Sequence, residues 1–97
     1  MNTSVPVEGV GHLSVLFFRS RELGEGMIRV TSRGKKPERI VRIAIYRTLD
    51  STTINEDFEP DKFARLDNYW FCERLLSWPT LIIEYKKGEL RVEIVEI

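Results

Sequence analysis

At 97 residues, the chain is long enough for one small domain with a single core and too short for two domains. Its 42% hydrophobic and 31% charged residues are typical of a folded protein and exclude the weakly hydrophobic, highly charged class of disordered chains. Fifteen basic and fifteen acidic residues balance to a formal net charge of zero, so any charge-based function has to come from how these residues are distributed.

We expect no segment that would direct the chain out of the cytoplasm. Its longest apolar runs are a few residues, whereas a membrane span needs about 20. Residues 1–7 carry neither the basic start nor the long apolar stretch of a secretory signal. The single cysteine, Cys72, cannot form a disulfide within the chain and is expected to be a small buried residue. We therefore expect a cytoplasmic protein that has no membrane partner.

Three strands are predicted in the first half of the chain, after a loose tail of residues 1–10. Residues 12–20, 27–31 and 39–47 alternate with a period of two, the pattern of strands with one buried face. Short loops that contain glycine separate these segments, which predicts an antiparallel meander. The side chains expected to face the core are Leu13, Val15, Phe17, Ile28, Val30, Val41, Ile43 and Ile45.

A helix is predicted to follow the polar stretch of residues 50–57, which breaks the strand pattern. Pro60 suits the first turn of a helix, and the acidic residues around it favour the positive end of the helix dipole. Apolar residues then recur at spacings of three and four along residues 63–78, up to Pro79. Because they surround most of this segment, we expect either a break near residues 67–68 or a helix covered on two sides.

Two more strands are predicted over residues 80–85 and 90–97, joined by a hairpin whose loop contains Gly88. The order β-β-β-α-β-β predicts an α+β fold for a single domain of residues 1–97. In this fold a small antiparallel sheet has one helical segment packed on a face. A small, partly open β-barrel is the alternative architecture.

The charges are segregated along the chain. Residues 19–47 contain nine basic and three acidic residues, whereas residues 48–97 contain six basic and eleven acidic ones. Segregation of this kind indicates a basic surface that takes phosphates, or an electrostatically complementary contact with a protein.

A nucleic-acid-binding face is the leading functional hypothesis. On a single sheet, the side chains opposite the core would put aromatic and basic groups together, with more cations on the loop that follows the second strand. Aromatic rings stack on unpaired bases and cations contact phosphates, so the pattern predicts a non-enzymatic protein that binds single-stranded DNA or RNA without a cofactor. The competing interpretation is an ordinary solvated sheet face. The residues of the predicted site are Phe18, Arg29, Arg33, Lys35, Lys36, Arg42 and Tyr46.

The alternative functional hypothesis is a protein-interaction subunit or adaptor, with a homodimer as one form. It uses the aromatic helix predicted over residues 63–78, because Trp and Tyr are enriched at protein interfaces. The residues of this second site are Tyr69, Trp70, Leu76 and Trp78.

Catalytic and metal sites are not predicted. His12 is the only histidine, so a histidine cluster for a metal is impossible, and neither it nor Cys72 lies in a nucleophile motif. Asp57, Glu59 and Asp61 have oxygen ligands that could hold Mg²⁺, but they are better explained as acids at the start of a helix.

Overall fold

Eight β-strands make up most of the structure, a computed structural model that describes residues 4–8, 13–19, 26–47, 51–76 and 90–97. Within these ranges the helical structure is a single 3-10 turn, Pro60–Lys62. None of the helical structure described is long or apolar enough to cross a membrane. The strands are β1 (Ser4–Glu8), β2 (Leu13–Arg19), β3 (Gly26–Arg33), β4 (Val41–Arg47), β5 (Thr52–Phe58), β6 (Ala64–Leu66), β7 (Tyr69–Leu76) and β8 (Leu90–Glu96).

The strands form two antiparallel sheets. A five-stranded sheet, the large sheet, has the order β1-β2-β3-β7-β6, and a three-stranded sheet, the small sheet, has the order β5-β4-β8. β3 and β4 are consecutive along the chain but belong to different sheets, so residues 34–40 cross from one sheet to the other. The predicted meander of three adjacent strands is therefore wrong at its second connection.

The inward faces of the two sheets share one hydrophobic core. Alternate residues of each strand point into it, as expected for sheets that each bury one face. Phe63, which follows the 3-10 turn, joins this cluster between the sheets. The large sheet contributes Leu13, Val15, Phe17, Ile28, Val30 and Cys72, and the small sheet contributes Val41, Ile43, Ile45, Phe58 and Ile94.

The predicted α+β class is wrong, because the segment expected to be a helix is a hairpin. β6 and β7 pair antiparallel from Leu66–Tyr69 to Ala64–Phe71. The break expected near residues 67–68 is the hairpin turn, where Asp67 has a φ of 53°. β7 carries apolar side chains on both of its faces, so its sequence satisfies a helical spacing as well as an alternating one. Residues 77–78 of the predicted helix lie outside the described residues.

Three further expectations need correction. The polar stretch of residues 50–57 contains most of β5, a sheet-edge strand whose outward positions are polar and whose Ile54 and Phe58 face the core. Residues 4–8 of the expected loose tail pair with β2 along their whole length. No pairing among the described residues joins the two sheets into the alternative barrel.

The strands predicted over residues 12–20, 27–31, 39–47 and 90–97 are confirmed as β2, β3, β4 and β8. Their inward side chains are those expected from the alternating pattern, since every one predicted on β2, β3 and β4 is buried. The strand predicted over residues 80–85 and its hairpin loop fall outside the described residues.

The β6–β7 turn can be tested by substitutions at Asp67. Its positive φ is unfavourable for alanine by about 1–2 kcal/mol but not for glycine, so Asp67→Gly should be more stable than Asp67→Ala by about 1 kcal/mol. If this segment were a helix, Asp67→Ala would instead be the more stable variant, because alanine is favoured over glycine in a helix by about 1 kcal/mol. Both variants keep the Asp67 carbonyl, which accepts a hydrogen bond from Arg65 Nε at 3.3 Å. Urea unfolding of the two proteins measures the difference, and a more stable alanine variant would contradict the hairpin.

Candidate nucleic-acid interface

The two sheets divide the predicted nucleic-acid-binding face. Arg29 lies on the outer face of the large sheet, whereas Arg42 and Tyr46 lie on the outer face of the small sheet. Since the inner faces of the sheets meet in the core, these outer faces point in opposite directions. Phe18 pairs with Met27 on the large sheet, and its side chain is outside the described structure.

Arg29 and Arg42 each contact a carboxylate on a neighbouring strand. Arg29 Nε donates to Glu73 Oε1 at 2.6 Å, and Arg29 Nη2 contacts the same oxygen. Arg42 binds Asp57 through two hydrogen bonds, from Nε to Oδ1 at 2.8 Å and from Nη2 to Oδ2 at 3.0 Å. A phosphate would have to compete with these carboxylates for both guanidinium groups.

Tyr46 is also engaged with its neighbours on the small sheet. Its hydroxyl donates to Glu93 Oε2 at 2.9 Å, and the Arg91 guanidinium lies 5.3 Å from the centre of its ring. The hydrogen bond to Glu93, with some desolvation, raises the pKa of Tyr46 above its ordinary value. The ring therefore already has a cation on one face, where a stacked base would have to lie.

The Arg42–Asp57 pair gives the protein a specific sensitivity to acid. The hydrogen bonds from Arg42 hold the pKa of Asp57 below its ordinary value, against a smaller opposing effect of desolvation. As the pH falls below about 4, the unfolded chain therefore takes up this proton before the folded chain does, and the folded state loses stability.

We expect Asp57→Asn to flatten the decline in stability below about pH 4, because the substituted side chain does not titrate. Urea unfolding between about pH 3 and pH 6 measures this slope. Asp61→Asn, which changes an exposed acid in the 3-10 turn, is the control and should keep the wild-type slope. Equal slopes in wild-type protein and Asp57→Asn would contradict the role of the pair.

The remaining predicted cations gather where the crossing loop meets the β6–β7 turn. Gly34, with a φ of 78°, donates its N–H to the carbonyl of Asn68 at 2.5 Å. Ser32 Oγ donates to the carbonyl of Lys35 at 2.5 Å, which holds the first residues of the loop against the end of β3. These two bonds place the Lys36 ammonium 5.5 Å from the centre of the Trp70 ring.

This end of the molecule combines cations with aromatic rings, and we call it the basic end. Arg33 pairs with Tyr69 across β3 and β7, and Arg65 pairs with Trp70 across β6 and β7. Tyr69 is 43% exposed, whereas Trp70 is half-buried against the core. The members of the basic end are Arg33, Lys35, Lys36, Arg39, Arg65, Tyr69 and Trp70.

The charge of the basic end is positive. Its five cations face two acids on the same loop and turn, Glu38 and Asp67. Glu38 lies 3.1 Å from the Lys35 ammonium, but both side chains are exposed, and such pairs contribute at most about 1 kcal/mol. Most of the cations are exposed and Lys36 is half-buried, so their charged groups are accessible to an anion.

The structure thus combines parts of the two predicted sites. Arg33, Lys35 and Lys36 of the first lie beside Tyr69 and Trp70 of the second. Leu76 is at the opposite end of β7, where it pairs with Gly26, and Trp78 lies outside the described residues. Sequence analysis missed Arg39 and Arg65. The Asp67-Asn68 pair could have revealed Arg65, because two such residues between short apolar runs are typical of a hairpin. A hairpin there places Arg65 on the strand beside Trp70.

The described residues contain no group of three or more His, Cys, Asp or Glu side chains that could hold a metal ion. Cys72 is buried, and its burial raises the pKa of its thiol, which disfavours the reactive thiolate. His12 lies outside the described ranges. The chain matches no known family model, no curated protein and no solved structure.

Proposed function

We propose that this protein binds single-stranded nucleic acid through the basic end. The observation that carries the proposal is that the bond from Gly34 to Asn68 joins a loop rich in cations to a hairpin that carries two aromatic rings. Cations that follow a backbone and rings that stack on bases are the two features of sequence-tolerant binding to single strands.

The cations of the basic end would contact phosphates. Arg33, Lys35, Arg39 and Arg65 are exposed, and they lie on both sides of the contact between the loop and the turn. Each of these side chains is a cation that can pair with a phosphate, so this part of the binding would depend strongly on salt.

Contacts of this kind are made to a charged backbone that is the same in every sequence. Each phosphate neutralised on a single strand contributes about −0.7 to the slope of log K against log salt concentration. Three contacts therefore predict a loss of about 20-fold in affinity for a fourfold rise in salt.

The aromatic rings would supply the preference for single strands. A base stacked on an aromatic side chain contributes about 1–3 kcal/mol, and only an unpaired base has its face free. At Trp70, the Lys36 ammonium now lies over the ring, an interaction that contributes about 0.5–1 kcal/mol at an exposed site. A stacked base can therefore displace Lys36, which then becomes available to the neighbouring phosphate. Tyr69 offers a second, more exposed ring beside Arg33.

The test is a titration of labelled single- and double-stranded oligonucleotides, followed by fluorescence anisotropy at about 50 and 200 mM salt. We expect tighter binding of the single strand and a steep loss of affinity at the higher salt. In a Trp78→Phe background, the emission of Trp70, then the sole tryptophan, should change on binding. Arg33→Glu combined with Lys36→Glu should weaken binding by at least about tenfold, because two phosphate contacts become repulsive.

Arg91→Glu combined with Arg42→Glu is the matched control, since it reverses two cations on the outer face of the small sheet. It should leave the affinity within about twofold of the Trp78→Phe parent, because its charges lie away from the basic end. Absence of binding at the lower salt would refute the proposal. An equal loss of affinity in the control pair would also refute it, because binding would then follow net charge alone.

A further inference from the structure

The outer face of the large sheet is unusually apolar for a face that the described residues leave uncovered. Solvated faces of antiparallel sheets are normally polar. Here Leu66 is 63% exposed and Leu75 is 50% exposed, and Leu16, Met27 and Phe71 beside them are only half-buried. We call these five residues the outer apolar face. Contiguous exposed apolar residues of this kind mark interaction surfaces.

The outer apolar face is arranged in rows across β3 and β7. Met27 pairs with Leu75 in the first row, Arg29 with Glu73 in the second and Thr31 with Phe71 in the third. The central row is therefore an ion pair, with apolar side chains on either side of it. A depression of about 380 Å³ covers the second and third rows and extends to the edge of the sheet, with a lining of Arg29, Thr31, Leu66, Tyr69, Phe71 and Glu73.

We propose that a second copy of this chain covers the outer apolar face, in a two-fold symmetric dimer whose axis runs parallel to β3 and β7 and passes between Arg29 and Glu73. This axis places Arg29 opposite the partner's Glu73 and, equally, Glu73 opposite the partner's Arg29. It also places Met27 opposite the partner's Leu75 and Thr31 opposite the partner's Phe71. The exposed Leu75 side chain then packs on the partner's Met27.

Charge complementarity favours a second copy over other occupants. The face carries one positive and one negative group side by side at its centre, so an apolar partner would bury both without new contacts, and a partner of one charge would repel one of them. A second copy related by a two-fold axis matches each group with its opposite. This self-complementarity is what symmetric dimer interfaces require.

The area of the face limits the dimer to a weak affinity. The five strands average about six residues, so at about 4.8 Å between strands and 3.3 Å per residue the face spans at most roughly 490 Å² per copy. The two copies would bury at most about 1,000 Å², which is the lower limit expected of a specific interface. We therefore expect association that depends on protein concentration in the micromolar range.

The dimer does not rest on the nucleic-acid proposal, because its central ion pair and its apolar rows are not part of the basic end. Tyr69, which lines the edge of the depression, belongs to both surfaces. The row of Arg33 and Tyr69 lies next to the third row, beyond the area that the first three rows of the partner cover. The two basic ends therefore lie at the same edge of the dimer interface. Loss of dimerisation and loss of nucleic-acid binding can be measured separately in the same variants.

The experiment is sedimentation velocity of the full chain over a range of concentrations, with two charge-reversal variants. The wild-type protein should rise from the 11.4 kDa monomer towards twice that mass. Arg29→Glu alone and Glu73→Arg alone should each be monomeric at concentrations where the wild type is a dimer, because like charges then meet twice across the axis. An equal mixture of the two variants should regain the dimer.

Recovery of the dimer in the mixture would show that Arg29 and Glu73 meet between two copies and not only within one copy. Each variant loses the ion pair within its own chain, and mixing does not restore it, whereas it restores both ion pairs across the axis. Leu75→Glu should also be monomeric, and Val95→Glu, on an exposed position of the small sheet, should dimerise as the wild type does. Circular dichroism checks that every variant keeps its strands.

A wild-type protein that stays monomeric at the highest concentration would overturn the proposal. So would a mixture that stays monomeric while the wild type dimerises, because the charges would then not meet across the axis. Dissociation of Val95→Glu to the same extent as Leu75→Glu would place the interface elsewhere and would likewise overturn it.

Discussion

Replacing Phe58 by alanine should lower the free energy of unfolding by about 3–5 kcal/mol. Phe58 is fully buried at the end of β5, where it pairs with Val41. The Arg74 guanidinium of the large sheet lies 4.6 Å from the centre of its ring, and Arg74 Nη1 also donates to Glu56 Oε2 at 2.9 Å. Removal of the ring leaves a cavity where the two sheets meet and takes away the surface on which Arg74 rests.

Urea unfolding followed by tryptophan emission measures this loss. Asn55→Ala is the matched control, because Asn55 lies on the same strand with its side chain exposed, and it should stay within about 0.5 kcal/mol of the wild type. A loss below about 1 kcal/mol for Phe58→Ala would mean that β5 does not pack on the core. The comparison therefore tests β5, a strand that was not predicted from the sequence.

Val30→Asp should abolish cooperative folding at neutral pH. Val30 is fully buried between Val15 and Cys72, near the middle of the large sheet. An unpaired carboxylate at this position costs several kcal/mol, in addition to the loss of the apolar side chain. Domains of this size are stable by about 5–15 kcal/mol, so the substitution removes most or all of that margin.

Thr31→Asp is the control, because Thr31 is the next residue along β3 and faces outward. It should fold, with a far-ultraviolet circular dichroism spectrum like that of the wild type at low protein concentration. A folded Val30→Asp together with an unfolded Thr31→Asp would show that β3 is shifted by one residue, since such a shift exchanges the two faces of a strand.

The core-facing positions of β2, β3 and β4 could be predicted from the sequence because burial of a strand face is a local pattern. Val15, Val30 and Val41 each lie in a run with a period of two, and each is buried in the structure. That pattern depends only on the geometry of an extended backbone, so it is visible without knowledge of which strands pair.

The strand nature of β5 and β7 could not be predicted because the alternation fails there for physical reasons. β5 lies at a sheet edge, and its polar residues face solvent or, like Glu56, an ion pair with Arg74. β7 has apolar side chains on its outer face as well as its inner face, so its pattern fits a helix equally well. The outer face of β7 is the surface that we propose a second copy covers.

The grouping of side chains at the basic end could not be predicted, because it depends on the pairing of strands that are distant in the sequence. The order of the residues determined that cations are concentrated before residue 48 and that Tyr69 and Trp70 follow a turn-forming pair. Only the tertiary structure decided which of these groups meet, because β3 and β4 enter different sheets and the loop between them is held at the β6–β7 turn. Local periodicity sets which side of a strand is buried, whereas the pairing of distant strands sets which exposed side chains become neighbours.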